Sequence, residues 1–326
     1  MLGNRKHDTK PGENASITEG ELRPLFILSG HVLSYRTPMY PISSYNRYFY
    51  QPAVVCEHAR SSFVPSLLPN NLGFFLPSSR QYWHRILSLY TTPMNIYIIP
   101  ASARYTARHD WLESKHLFSF ADYYDTKNMH FGALRVFNDD FIDGHNGFGM
   151  HPHKNMEIIT LVLSGAISHE DSHGGRATVG AGGVQVMSAG SGIRHSEINN
   201  GDEAVHLYQI WIHPREENIA ARHAERDFSS MPHNHLVPVA SGFDHDALEI
   251  HTDAVIYRGI FDEEITWTHM AHTGTGNVFI YVTQGSVDLS SGQTLEAGDQ
   301  ARISEVEMLE MTFSAGADVV IIDVAD

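Results

Sequence analysis

Gly149-Met150-His151-Pro152-His153-Lys154-Asn155-Met156-Glu157 is the stretch on which the reading of this chain turns. A companion follows about forty residues later: Gly190-Ser191-Gly192-Ile193-Arg194-His195-Ser196-Glu197. Residues i and i+2 of a β-strand point to the same face. His151 and His153 can therefore aim at one point, and so can His195 and Glu197. Two such strands side by side would bring three imidazoles and one carboxylate together. That donor set suits iron, copper, nickel, manganese or zinc. Gly190 and Gly192 read as backbone devices for a tight turn that aims His195.

Composition sets the frame. The chain has 326 residues, 42% of them hydrophobic, enough for two domains with real cores. Its formal net charge of −16 speaks against nucleic acid as a partner, because phosphates call for Lys and Arg. The single cysteine, Cys56, rules out an intrachain disulfide framework and makes a reducing compartment, the cytoplasm, the simpler expectation. No run of apolar residues is long enough to read as a membrane span. The charge is uneven. Residues 1–93 hold 9 Lys/Arg and 5 Asp/Glu, a net of +4, leaving 13 Lys/Arg and 33 Asp/Glu, a net of −20, for residues 94–326.

The segment 1–93 carries 9 of the 14 prolines and shows no sustained helical or strand period. It reads as an extension that is poorly ordered or not native to the protein, with translation expected to begin at Met94. From Asn95 onward, short β-branched and aromatic runs alternate with glycine turns, which points to an all-β sandwich or barrel. The first β domain is expected over 94–233 and the second over 234–326. One short helix is expected within 216–226. The run Val278 to Val287 echoes Ile158 to Ile167: an apolar strand, a glycine and a second strand. The second copy lacks the His-x-His and His-x-Glu pairs. His269 and His272 stand near the equivalent place, but their spacing of three does not suit one strand face. The second domain therefore reads as structural.

These residues carry a family likeness. His151-Pro152-His153, Glu157 and the run Met187 to Glu197 resemble the pirin family of the cupin superfamily, and bacterial pirin-like quercetinases in particular. Trp111 to Ser114, His116 to Asp125 and Leu207 to Ile212 extend the resemblance, which runs from Met94 to the C-terminus. Residues 1–93 have no counterpart in it.

The resemblance implies an all-β bicupin, two jelly-roll β-barrels packed face to face, with metal in the N-terminal one. Carried over position by position, the ligands are His151, His153, His195 and Glu197. It implies one divalent transition metal, with iron the first expectation and copper, nickel, cobalt, manganese or zinc compatible. It also implies a dioxygenase of quercetin-like flavonols that uses dioxygen and releases carbon monoxide. Glu197 would be the base for the flavonol hydroxyl. A monomer without nucleic-acid or membrane partners is expected. The alternative class is a metal-bound regulatory or redox-sensing protein acting through a protein partner. Glu157 occupies the carboxylate position of the general cupin pattern His-x-His-x3-Glu and shares parity with 151 and 153, so it stays open as the carboxylate ligand. His145, His169 and His173 read as loop or turn residues at the pocket rim, and His206 as a strand residue without a role.

Overall fold

A computed structural model describes residues 27–28, 31–32, 94–272 and 276–326. The chain divides between Gly73 and Phe74 into two units. Of the first, one antiparallel pair is described, β1 (Ile27–Leu28) with β2 (His31–Val32). The expectation that 1–93 is a disordered or foreign extension otherwise falls outside the described residues.

The second unit opens with β3 (Asn95–Ile99) and one 3-10 turn, Ala101–Ala103. Eleven strands follow: β4 (Tyr105–Arg108), β5 (Leu112–His116), β6 (Leu134–Ile142), β7 (Gly147–His153), β8 (Glu157–Ser164), β9 (Ala166–Asp171), β10 (Arg176–Gly180), β11 (Gly183–Ser188), β12 (Ile193–Ile198), β13 (Val205–Ile212) and β14 (Arg222–Asp227). They make a seven-stranded sheet, β14-β11-β8-β13-β6-β5-β4, and a four-stranded sheet, β10-β9-β12-β7. The remaining strands are β15 (His235–Ser241), β16 (Leu248–Glu249), β17 (Ala254–Phe261), β18 (Ile265–Met270), β19 (Asn277–Gln284), β20 (Ser286–Leu289), β21 (Thr294–Glu296), β22 (Gln300–Ser304), β23 (Met308–Phe313) and β24 (Ala317–Val324). They repeat the plan: seven strands, β16-β15-β17-β24-β19-β22-β3, and four, β18-β23-β20-β21. The echo seen in sequence is thus structural. β8 passes through Gly165 into β9, and β19 through Gly285 into β20, with φ of 75° and 72° at the two glycines. Each crossing carries the chain from a seven-stranded to a four-stranded sheet.

The two seven-stranded sheets pack on each other. Phe137, Ile159, Val186, Tyr208 and Ile210 from the first meet Val239, Ile256, Phe279, Tyr281 and Val320 from the second in one buried core. The Phe137 ring lies 5.1 Å from Tyr208, 5.4 Å from Phe279 and 5.0 Å from Tyr281. The other face of each sheet lines its own barrel. With both faces covered, β8 is buried almost throughout rather than alternately buried and exposed. The all-β, face-to-face bicupin expectation holds.

Two local expectations need correction. Residues 216–226 do not form a helix. Arg222–Asp227 is β14, paired along its length with β11. Its helix-compatible residues yield to the open edge of β11, whose backbone groups need partners. Asn95–Ile99 lies at the head of the 94–233 segment, yet β3 pairs with β22 and completes the second sheet.

Within the second barrel, His269 and His272 share one carboxylate. Asp323 is fully buried. Its Oδ1 accepts from His269 Nε2 at 2.7 Å, and its Oδ2 accepts from the His272 backbone N–H at 3.0 Å and contacts His272 Nδ1 at 3.2 Å. Burial works against the Asp323 charge, but the two histidines outweigh it and hold the carboxyl below the ordinary range. The Asp323 hydrogen bond raises His272, against its own burial. The stabilisation from His272 is therefore full below about pH 6.5 and fades as pH rises through its raised folded value. That from Asp323 is full above about pH 4 and fades as pH falls through its lowered one. We expect urea unfolding to show stability declining above about pH 6.5, and Asp323→Asn to abolish that decline. We expect His269→Phe, which strips a donor from a buried carboxylate, to cost on the order of 2–4 kcal/mol at neutral pH.

Candidate metal centre

The pairing of β7 with β12 builds the site. His195 stands opposite His151, and Ile193 opposite His153. Directly paired residues share a face, so all three imidazoles point into the first barrel. Their ring centroids lie 4.5 Å (His151–His195), 4.8 Å (His151–His153) and 5.0 Å (His153–His195) apart. A bulge follows: Glu197 pairs with Phe148, so β7 spends one more residue than β12 between the two pairs. Here the Gly149 carbonyl accepts from His151 Nδ1 at 2.7 Å. A carbonyl cannot donate, so Nδ1 of His151 carries the proton and Nε2 keeps its lone pair.

The turn before β12 behaves as the glycines foretold. Gly190 has φ of 46°, and a side chain there would meet the Ile219 carbonyl. That carbonyl accepts from the Ser191 N–H at 2.8 Å, which ties the turn to the chain leading into β14.

The donor set fits a metal ion. His153 Nε2 and His195 Nε2 are buried with no hydrogen-bond partner. Buried polar atoms in that condition call for one. One ring nitrogen each from His151, His153 and His195 lies within 4.8 Å of the others. Burial, then the neighbouring His151, His153 and His169 rings, drive His195 down to about 2. Burial, then His151, bring His153 down to about 4. Both rings are thus neutral near pH 7, the form that binds a metal.

Glu197 sits one step away. It groups with His195 and His169, again within 4.8 Å, and not with His151 and His153. Its Oε1 accepts from Gln185 Nε2 at 2.5 Å and Thr160 Oγ1 at 3.2 Å, and its Oε2 from Gln209 Nε2 at 2.7 Å. These three donors form a polar row across β11, β8 and β13 on the barrel face of the seven-stranded sheet. Burial lifts the Glu197 carboxyl above its ordinary range, opposed by His169 and by the Thr160 and Gln209 hydrogen bonds. Both groups able to hold a metal, among the described residues, lie here and share His195.

Glu157 is not part of the cluster. Lys154 to Met156 break the strand, with Asn155 at φ 49°, so parity does not carry from β7 into β8. Glu157 faces the second half, where Oε2 accepts from Ser188 Oγ at 2.8 Å and from the His251 N–H at 3.1 Å. His169 also departs from expectation. It is an inward, buried residue of β9 rather than a rim residue, because 167, 169 and 171 share the barrel face. That signal was present in the alternation Ile167-Ser168-His169-Glu170-Asp171. His145 and His173 do lie in turns, His145 beside Asp202 at 2.8 Å. His206 has partners, with Nε2 2.6 Å from Asp139 Oδ1 and its ring stacked 3.9 Å from Phe141. Sequence reasoning missed Asp140 altogether. It hydrogen-bonds Ser114, and burial takes its carboxyl up to about 7 despite that bond.

Two stacked barrels with an inward three-histidine cluster in the first define a bicupin metalloprotein. Residues 100–212 match the Pirin family, and residues 239–324 match the quercetinase C-terminal cupin domain. The chain is 41% identical over 229 residues to the quercetin 2,3-dioxygenase of Escherichia coli K12, covering 70% of this chain and 98% of that one. It is 42% identical over 222 residues to a pirin-like protein of Caulobacter vibrioides, covering 67% and 95%. The crystal structure of the bacterial pirin YhhW from Escherichia coli in complex with nickel(II) superposes with a TM-score of 0.67 at 39% identity, covering 71% of this chain and 99% of that one. This chain belongs to the pirin family.

Substitutions separate the two carboxylates. Metal analysis after nickel(II) loading should show occupancy near one per chain for wild type and Glu157→Gln, and a clear fall for His153→Ala and Glu197→Ala. Full occupancy in His153→Ala would remove that ring from the ligand set.

Proposed function

We propose that this chain is a metal-dependent dioxygenase of the pirin type, opening the heterocycle of quercetin-like flavonols with dioxygen and releasing carbon monoxide. The observation that carries the reading is a three-imidazole cluster beside an aromatic wall. His153 meets Trp211 edge-on at 4.9 Å, Trp211 meets Phe120 at 5.3 Å, and Phe120 meets His116 at 5.3 Å. Flat rings pack well against such edges and faces. The names of the relatives at 41% identity support the same class.

We assign His151, His153, His195 and Glu197 as ligands of one divalent transition metal. Iron is our first choice, with copper, nickel, cobalt, manganese or zinc compatible with nitrogen and oxygen donors. The bound metal would supply Lewis acidity to the flavonol 3-hydroxyl oxygen. Glu197 takes the hydroxyl proton, a role that suits a carboxylate made more basic by burial. Gln185, Gln209 and Thr160 orient that carboxylate. Trp211 and Phe120 flank the flat substrate and keep water out. We take 94–233, apart from β3, as the metal-binding half and 234–326, completed by β3, as the structural half, working as a monomer. We place the chain in the cytoplasm, where Cys56 stays reduced.

The test is aerobic quercetin turnover, followed by loss of flavonol absorbance and by carbon monoxide, for metal-analysed wild type beside His153→Ala. We expect turnover in wild type and a loss of at least about a hundredfold in the variant, the scale of removing a metal-centred step. One metal per chain with no turnover would sink the dioxygenase reading in favour of a sensing role through a protein partner.

A further inference from the structure

Behind His195, away from the other two imidazoles, a line of buried groups runs along one face of β12 and β9. His195 Nδ1 lies 3.4 Å from His169 Nδ1, and His169 Nε2 lies 3.1 Å from Asp171 Oδ2. The strand register sets this line, because His195 stands opposite Asp171 and Glu197 opposite His169. All three side chains are buried, at 2%, 3% and 7% exposure for His195, His169 and Asp171, so no water competes for these bonds.

The chemistry of the donors orders the protons. Asp171 accepts, so His169 carries its proton on Nε2 and offers a lone pair at Nδ1. His195 must then donate from Nδ1, which leaves the lone pair on Nε2, the atom buried without a partner. The line is held at its far end. Asp171 Oδ1 accepts from the backbone N–H groups of His173 at 2.8 Å and Gly175 at 3.0 Å. Any side chain at Gly175 would collide with the Asp171 carboxylate, so the turn leaves room for that group. On its flank, the His223 ring stacks on His169 at 4.0 Å and 11°, which fixes the ring plane.

We propose that His169 and Asp171 are positioning residues of the metal centre, acting in series to hold His195 in the tautomer and orientation that present Nε2 to the ion. This rests on the metal-centre reading given above. Ligating histidines are commonly held through their second nitrogen by a carboxylate or carbonyl. Here a second imidazole stands between ligand and carboxylate. The competing arrangement makes His169 itself a ligand beside His195 and Glu197. The hydrogen bonds favour positioning: the unpartnered nitrogen of His195 is Nε2, which faces away from His169, whereas its Nδ1 is already engaged with His169 Nδ1.

The full chain is titrated with nickel(II) against a chelator, as wild type, His169→Phe and His169→Asn, with apo-protein melting recorded for each. Phe keeps a ring but accepts nothing, whereas the Asn amide oxygen can replace Nδ1 as acceptor. We expect His169→Phe to weaken nickel binding by roughly 10- to 100-fold, as outer-sphere partners do, and His169→Asn to recover most of that loss. A merely structural role would lower the apo melting temperature and leave the affinity of the folded protein unchanged. Nitrogen-15 NMR of the wild-type histidine rings needs no variant: His195 should be protonated at Nδ1 and His169 at Nε2. Wild-type affinity in His169→Phe, the opposite tautomers, or His169→Asn as weak as His169→Phe overturns the proposal, the last by making His169 a ligand. Absence of nickel binding in wild type itself overturns the metal reading, and this proposal with it.

Discussion

A sheet that is buried on both faces governs this molecule. The strands β8, β11 and β13 press Ile159, Val186 and Ile210 against the second half while turning Thr160, Gln185 and Gln209 into their own barrel. Two-sided burial leaves no room for a register slip, since a shift of one residue would exchange the two sets. It would put amides into an apolar core and aliphatic groups against Glu197. The polar row is therefore held by the hydrophobic contact on its other side. The position of the Glu197 carboxylate is in turn set by the packing of the two halves.

The barrel interior shows how a charged group is kept in such a place. Toward one end lie Ile142, Val162, Ile167 and Leu207, and toward the other Ile158, Met187, Ala189 and Ile193. Between them runs a belt containing Glu197, His169, Gln185, Thr160 and Gln209. A buried carboxylate with three donors is tolerable, whereas one without them would be neutralised. The same rule explains the second barrel. There Asp323 is saturated by His269 and His272, and among the described residues no buried imidazole nitrogen of that half is left unpartnered. One barrel presents open coordinating atoms and the other closes its polar groups on one another.

Much of this was legible in the sequence, and the failures have physical causes. The His-x-His and His-x-Glu pairs, the glycine turn before His195 and the duplicated strand-glycine-strand unit all depend on short-range periodicity. The three imidazoles, the turn and the duplicated unit appear as read, while Glu197 stands one step aside, grouped with His195 and His169. Glu157 misled because parity was carried through Lys154 to Met156, where the chain turns and the count restarts. β14 misled because local helix preference cannot register the open edge of β11 some forty residues back. His169 was undervalued because His195 reaches it only through cross-strand register, although the alternation of β9 already set Asp171 beside it. The likeness to pirins supplied the pairing that spacing alone leaves open.

The placement of β3 has a kinetic consequence. Asn95–Ile99 is among the first parts of the two-barrel unit to be made, yet its partner is β22, at Gln300–Ser304, while the strand directly after it, β4, belongs to the first sheet. The nascent chain therefore carries an unpaired apolar segment through the synthesis of about two hundred residues. Closing so long a loop is entropically slow, and topologies dominated by distant pairings fold late. The first barrel can condense early, but this pairing of the second waits until β22 has been made. Until then the edges of that strand are open to pairing with other chains.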